Sequence, residues 1–293
     1  MTVAFEWVGW PTVVAVAWFR FPGLSAALRD ALPHALAPVA SAVTTLGDPE
    51  LLIGVLAVLY WVHRRRETAT VASAAFVALV AVMGLKHALA LPRPPMTVRP
   101  LPVTPGSSGF PSGHATSATV VYGGLAVAYG WTDRRTLVAV AGLVAAVALS
   151  RVLLGVHYLG DVLAGVVLGA VVLAGLAYWI RDRPRRGFLA ASVLAVPALV
   201  VVGPIPDAVL ALGGSVGGLV AMQYFEVVPP LRSRVEAAVV TVVGLALVAL
   251  LRGLAAAFAT LVPALFVVDF LLVVAVFQAP TVVGHLPDRW LGE

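Results

Sequence analysis

Of 293 residues, 61% are hydrophobic and only 11% charged, with mean hydropathy +1.00. A soluble domain carries about 25% charged residues, and several apolar runs here reach the ~20 residues that cross roughly 30 Å of hydrocarbon. Composition therefore excludes an ordinary soluble enzyme and indicates an all-α, polytopic transmembrane helical bundle.

The formal charge of +5 does not signify nucleic-acid binding, because the arginines cluster at the ends of apolar runs, where the positive-inside rule places them. With no cysteine, disulfides and thiolate metal sites are excluded. The chain holds eighteen arginines and a single lysine, Lys86, so one position stands out as using a compact ammonium instead of a planar guanidinium.

In chain order, residues 3–19 form a first apolar run closed by Arg20, read as an early span or interfacial helix and not a removed signal. Residues 24–46 are helical in pattern but carry Arg29, Asp30, Pro33, His34 and Pro38, which suits an interfacial or re-entrant element. Asp48-Pro49-Glu50 reads as a helix start, with Asp48 as N-cap and Pro49 in the first turn. Spans follow at 50–63 and 69–91. Residues 92–111, rich in Pro, Gly and Ser, cannot be transmembrane helix, and a loop of that length is usually functional. Further spans are expected at 113–131, 136–154 and 157–180. Four more apolar segments follow near 188–203, 208–225, 235–251 and 255–278, with Gly213-Gly214 and Gly217-Gly218 allowing close helix approach. Asp269 and Arg252 in the last two segments read as a structural ion pair or a relay.

Arg64–Arg66, Arg134–Arg135 and Arg181–Arg186 fall at alternate span ends and so mark one side, the cytoplasmic side. Lys86, the 92–111 loop and Arg151–His157 then gather at the extracytoplasmic mouth. Three polar groups lie there: Lys86-x6-Arg93-Pro94; Pro111-Ser112-Gly113-His114, opening a helix; and Ser150-Arg151-x5-His157-x3-Asp161. Charge in apolar surroundings is costly and marks function. On one helix His157 and Asp161 would share a face, about 5–6 Å apart at Cβ, so the carboxylate could hold one imidazole nitrogen and leave the other free as a nucleophile. Lys86, Arg93 and Arg151 could neutralise the oxygens of a phosphoryl group, and backbone N–H groups of Ser112 and Gly113 could point at the same anion. His114 could protonate the leaving oxygen.

These three motifs resemble the K-x6-RP, PSGH and SR-x5-H-x3-D signature of the type-2 phosphatidic acid phosphatase superfamily, over roughly residues 45–182. The resemblance implies a six-helix core, with about four additional C-terminal helices lying outside it. It divides the chain into a phosphatase core, 1–186, and a segment of unknown role, 187–293. It further implies metal-independent hydrolysis without a cofactor, in which His157 forms a phosphohistidine, His114 is the acid, Asp161 supports His157, and Lys86, Arg93, Ser112, Gly113 and Arg151 bind phosphate. The expected substrate is a lipid phosphate or polyprenyl diphosphate, met at the extracytoplasmic face of the cell membrane. The motifs do not separate hydrolysis from transfer to a hydroxyl acceptor. A transporter or scaffold keeping the fold is the reading from a different class, against which the complete set of acid, nucleophile and cations argues. His63, His87, His34 and His285 match no motif position, and Arg99 in the long loop is a candidate for a second phosphate or head group.

Overall fold

Backbone polar groups cannot be left unpaired in hydrocarbon, so a chain this apolar crosses it as helices. The computed structural model describes residues 18–31, 36–95, 108–181, 183–229 and 231–284, and over these it contains eleven helices. They are α1 (Pro22–Asp30), α2 (Ala37–Thr44), α3 (Pro49–Val62) and α4 (Arg65–Leu89). Next comes α5, built from Gly113–Ala118, a π turn Thr119–Gly123 and Gly124–Ala128. Then follow α6 (Arg134–Leu153), α7 (Leu159–Gly175, extended by a π turn Leu176–Ile180) and α8 (Pro184–Val202). The last three are α9 (Pro206–Ala221), α10 (Arg234–Ala257) and α11 (Val262–Gly284).

Six of these are long and apolar enough to cross a membrane: α4, α6, α7 with its π turn, α8, α10 and α11. A seventh crossing is possible if the stretch Ala37–Gly47 and α3, which meet at 50°, count as one broken span. The bend falls at Pro49, which opens α3 in the first turn, where a proline ring costs no helical hydrogen bond. The stretch 24–46, expected as an interfacial or re-entrant element, holds α1 and α2, whereas residues 3–17 of the first apolar run, His34, Arg99 and His285 lie outside the described residues.

The expected polytopic bundle is what the chain forms. In one core cluster, Leu52 and Leu56 of α3 meet Val71, Ala74 and Ala78 of α4, Val120 and Leu125 of α5, and Val172 and Leu176 of α7. The C-terminal helices do not stand apart. The α8 helix lies along α4, α9 packs on both α4 and α11, and α10 packs on α3 and α11. Small residues permit this closeness: a Cβ on Gly217 would come within 2.5 Å of the Phe270 carbonyl oxygen, and one on Gly213 within 2.9 Å of that of Phe266. The last two boundaries differ from expectation. The α10 helix continues through Arg252 to Ala257, and α11 begins only at Val262. Hydropathy runs unbroken across this turn, and Pro263, favoured in a first helical turn, lies at the start of α11.

Candidate active site

His157 is placed by a helix break. After α6 the chain turns at Gly155, whose φ of +65° is a left-handed conformation that glycine adopts without a Cβ clash. The Val156 and His157 N–H groups both close back on the Arg151 carbonyl, at 3.1 and 3.3 Å. His157 therefore precedes α7, with Tyr158 as the N-cap between them. The expectation that His157 and Asp161 share one helix face is corrected accordingly. Their proximity arises from the turn that leads into the helix.

The ring of His157 is 1% exposed and held at both nitrogens. Nε2 lies 3.1 Å from Arg93 Nη1, and a guanidinium can only donate, so Nε2 accepts. Nδ1 then carries the proton and donates it to the Gly109 carbonyl at 2.6 Å. Asp161 Oδ2 is 3.5 Å from Nδ1, a secondary contact. Burial lowers the His157 pKa to about 3, against the raising effect of the Asp161 contact, and the Arg93 charge lowers it further. The ring is neutral, with its lone pair aimed at the cations.

Asp161 is fully buried and its main partner is Arg20. Arg20 Nε donates to Oδ1 at 2.7 Å and Nη2 to Oδ2 at 3.1 Å, in the two-pronged geometry that suits a guanidinium and a carboxylate. Nη2 also donates to the Pro92 carbonyl at 2.7 Å, and the guanidinium lies 4.6 Å from the centre of the Tyr158 ring. The other claim on Oδ2 is the Tyr158 N–H at 2.8 Å, which caps α7. Gly160 makes the docking possible: its N–H donates to the Arg20 carbonyl at 3.1 Å, and any Cβ there would collide with the Phe19–Arg20 backbone. As a sequence element Arg20 merely closes an apolar run. In the fold it is 4% exposed at the heart of the site.

The loop between α4 and α5 contributes through its ends. Pro92 and Ser108 pair as an isolated antiparallel bridge, and the Gly109 N–H donates to the Leu91 carbonyl at 2.7 Å. This clamp brings the Gly109 carbonyl to His157 and sets Arg93 beside it. Arg93 Nη1 also donates to the Val156 carbonyl at 3.0 Å.

His114, in the first turn of α5, has its Nε2 2.6 Å from Asp48 Oδ1. Asp48 occupies the N-cap position of α3, as expected, but its side chain makes no capping bond. The carboxylate is turned to the histidine, a role the sequence did not disclose. Gly47 is the neighbour that allows the approach, since a Cβ there would press on His114 at 3.2 Å. Ser112 caps α5, weakly accepting from the Ala115 N–H at 3.5 Å. Its own N–H donates to the Asp161 carbonyl at 2.9 Å, so the expectation that this N–H points at an anion is corrected: the fold already uses it. That leaves Gly113, half-buried at the start of α5, and the Ser112 hydroxyl.

Arg151 Nη1 donates to Thr44 Oγ1 at 2.7 Å, whereas its Nε is buried without a partner. Lys86, half-buried in the last turn of α4, lies within electrostatic range of Arg93, Arg151 and Asp161. With Asp161 already paired to Arg20, this concentration of positive charge beside a neutral imidazole is a place for an anion with several oxygens. His87 and His63 are exposed, and among the described residues no group of three or more His, Cys, Asp or Glu could hold a metal ion.

Comparison with known proteins covers most of these residues. The family model described as PAP2 superfamily matches residues 67–185. Two curated relatives are named decaprenylphosphoryl-5-phosphoribose phosphatase, from Mycobacterium tuberculosis strains CDC 1551 / Oshkosh and ATCC 25618 / H37Rv. Each is 39% identical over 123 residues, 42% of this chain and 66% of the relative. The chain thus spans just under two thirds of the length of these relatives. No solved structure matches. Arg20 and Asp48 lie outside the matched segment, while Lys86, Arg93, Ser112, Gly113, His114, Arg151, His157 and Asp161 lie within it. Residues 67–185 of the chain thus match the PAP2 superfamily, and the resemblance extends to a named phosphatase.

Proposed function

We propose that this chain is an integral-membrane phosphatase that hydrolyses a lipid-linked phosphate ester or diphosphate at the extracytoplasmic face, through a phosphohistidine on His157. The observation that carries the reading is the neutral His157 ring, with Nδ1 donating to Gly109 and Nε2 turned to Arg93 amid further cations. In the first step Nε2 attacks phosphorus, a P–N bond forms, and the bond to the leaving oxygen breaks. Lys86, Arg93 and Arg151 take the charge on the non-bridging oxygens. His114, 2.6 Å from Asp48, takes up a proton when the anionic substrate binds and gives it to the leaving oxygen. In the second step water attacks the phosphohistidine, now neutral His114 accepts a proton from that water, and phosphate departs.

The apolar surroundings favour a substrate whose polar head reaches the site while its tail stays in lipid. The relatives' name adds a polyprenyl-linked phosphosugar to the phosphatidate and polyprenyl diphosphate classes. Residues 1–186 act as the phosphatase core. The test is a substrate panel of these three classes on the pure protein, with mass-spectrometric trapping of the phosphoenzyme. The expected result is a phosphoryl group on His157 and no phosphate release from His157→Ala. Equal turnover with and without that change would sink the mechanism.

A further inference from the structure

The core and the C-terminal helices do not close completely on each other. Between them lies a cavity of about 200 Å³, walled by Leu56 of α3, Ala72 and Ala75 of α4, Leu210 of α9 and Leu272 and Val276 of α11. It is small beside the roughly 300–1,000 Å³ of pockets that enclose a whole drug-sized ligand. Yet its lining extends along α3 from Glu50 to Tyr60, which is about 15 Å of helix. A narrow apolar slot of that shape suits one hydrocarbon chain.

Its upper end adjoins the candidate acid by two routes. Ser117 and Val121 line the slot three and seven residues beyond His114, on the same face of α5. Pro49 and Glu50 line it as well, directly after Asp48, the partner of His114. Polar groups ring this end: Arg252 is 3.3 Å from Glu50 and 3.8 Å from Asp269, and Asp207 lies within electrostatic range of Lys86. Of these, Glu50, Asp207 and Arg252 line the cavity, and Arg252 Nε is buried without a hydrogen-bond partner, so this end is polar while the walls along α3 and α4 are mainly apolar.

We infer that this slot receives the proximal hydrocarbon of the substrate's leaving group, which makes the C-terminal helices the chain-binding wall of the enzyme. The inference rests on the phosphatase reading above. In-line displacement puts the leaving oxygen opposite His157 Nε2 and next to His114. Whatever the leaving oxygen carries must then continue on the His114 side, where the slot begins. The polar rim faces the linker, and the apolar walls face the first stretch of chain. Any further length extends into the bilayer.

The experiment uses the full-length protein in detergent with butyl, octyl, dodecyl and hexadecyl phosphate, which differ only in chain length. For the unaltered protein kcat/KM should rise with length and then level off once the slot is filled. Ala75→Trp, which fills the slot from the core side, and Leu210→Trp, from the C-terminal side, should each lower the hexadecyl-to-butyl ratio of kcat/KM by roughly tenfold or more. In parallel, a hexadecyl phosphonate bearing a diazirine near its head should label the unaltered protein within 72–79 and 272–277. This readout needs neither turnover nor a folded variant. Label only on outward-facing residues such as Val171 and Tyr178, which are exposed on α7, would overturn the inference. So would an unmoved ratio in both folded variants, even with label in the slot, since an ordinary membrane lipid would then be the occupant. If the unaltered protein hydrolyses none of the four esters nor any lipid of the panel, the phosphatase reading fails, and the labelling pattern still decides whether the slot takes a chain.

Discussion

Replacing Arg20 by methionine should expose how far the site depends on a residue distant from every motif. Arg20 gives Asp161 two hydrogen bonds, at 2.7 and 3.1 Å, and both residues are buried. Methionine keeps the volume of the stem and removes the charge. Asp161 then retains the Tyr158 N–H at 2.8 Å and the 3.5 Å contact to His157, which leaves a buried anion without a cation. Breaking a buried pair from one side costs about 3–5 kcal/mol. At roughly 2–4 °C per kcal/mol for chains near this size, that is a fall of order 10 °C in melting temperature. The unpaired carboxylate should also draw the Nδ1 proton of His157 away from Gly109 and tilt Nε2, so kcat should fall more than KM rises. The assay is a double-mutant cycle with Asp161→Asn, read by thermal melting in detergent and by steady-state phosphate release. The single Arg20→Met change should be more damaging to stability than Arg20→Met combined with Asp161→Asn, because the amide leaves no buried charge. Additive costs would refute the claim that Arg20 acts through Asp161.

Four other outcomes are expected. Asp48→Asn should slow hydrolysis of alkyl phosphates by about 10²–10⁴ and affect an aryl phosphate with a good leaving group much less; equal losses on both would remove His114–Asp48 from the acid role. Because the folded His157 pKa lies near 3, below the unfolded value of about 6.5, the unfolded state binds the extra proton first. The stability this neutral ring confers should be complete above about pH 6.5 and decline as pH falls toward 3. Melting curves of His157→Asn should therefore be flatter in that window than those of the unaltered protein, and parallel curves would contradict the burial argument. A cysteine introduced at Thr104, in a chain that has none of its own, should react with an impermeant maleimide on intact cells; reaction only after permeabilisation would reverse the topology. Activity should survive EDTA, and loss on chelation with rescue by Mg²⁺ would require a different mechanism.

The sequence by itself determined the bundle, because long apolar runs closed by arginine clusters permit few other folds in lipid. It also marked the residues of the candidate site, since Lys86, Arg93, His114, Arg151, His157 and Asp161 are polar residues in a setting that penalises them. Spacing in the chain was enough to find these residues because each motif is local. What the tertiary structure decided is who holds whom. Arg20 is 141 residues from Asp161, Asp48 is 66 from His114, and Gly109 is 48 from His157. None of these partnerships leaves a periodic or motif-like trace, because a buried charge needs a partner in space and any arginine or carboxylate of the right reach can serve. The break before α7 was legible, since the expected spans 136–154 and 157–180 leave a gap at Gly155, where the chain makes its left-handed turn. The slot beside α5 was not, because it depends on where two sets of helices stop short of contact.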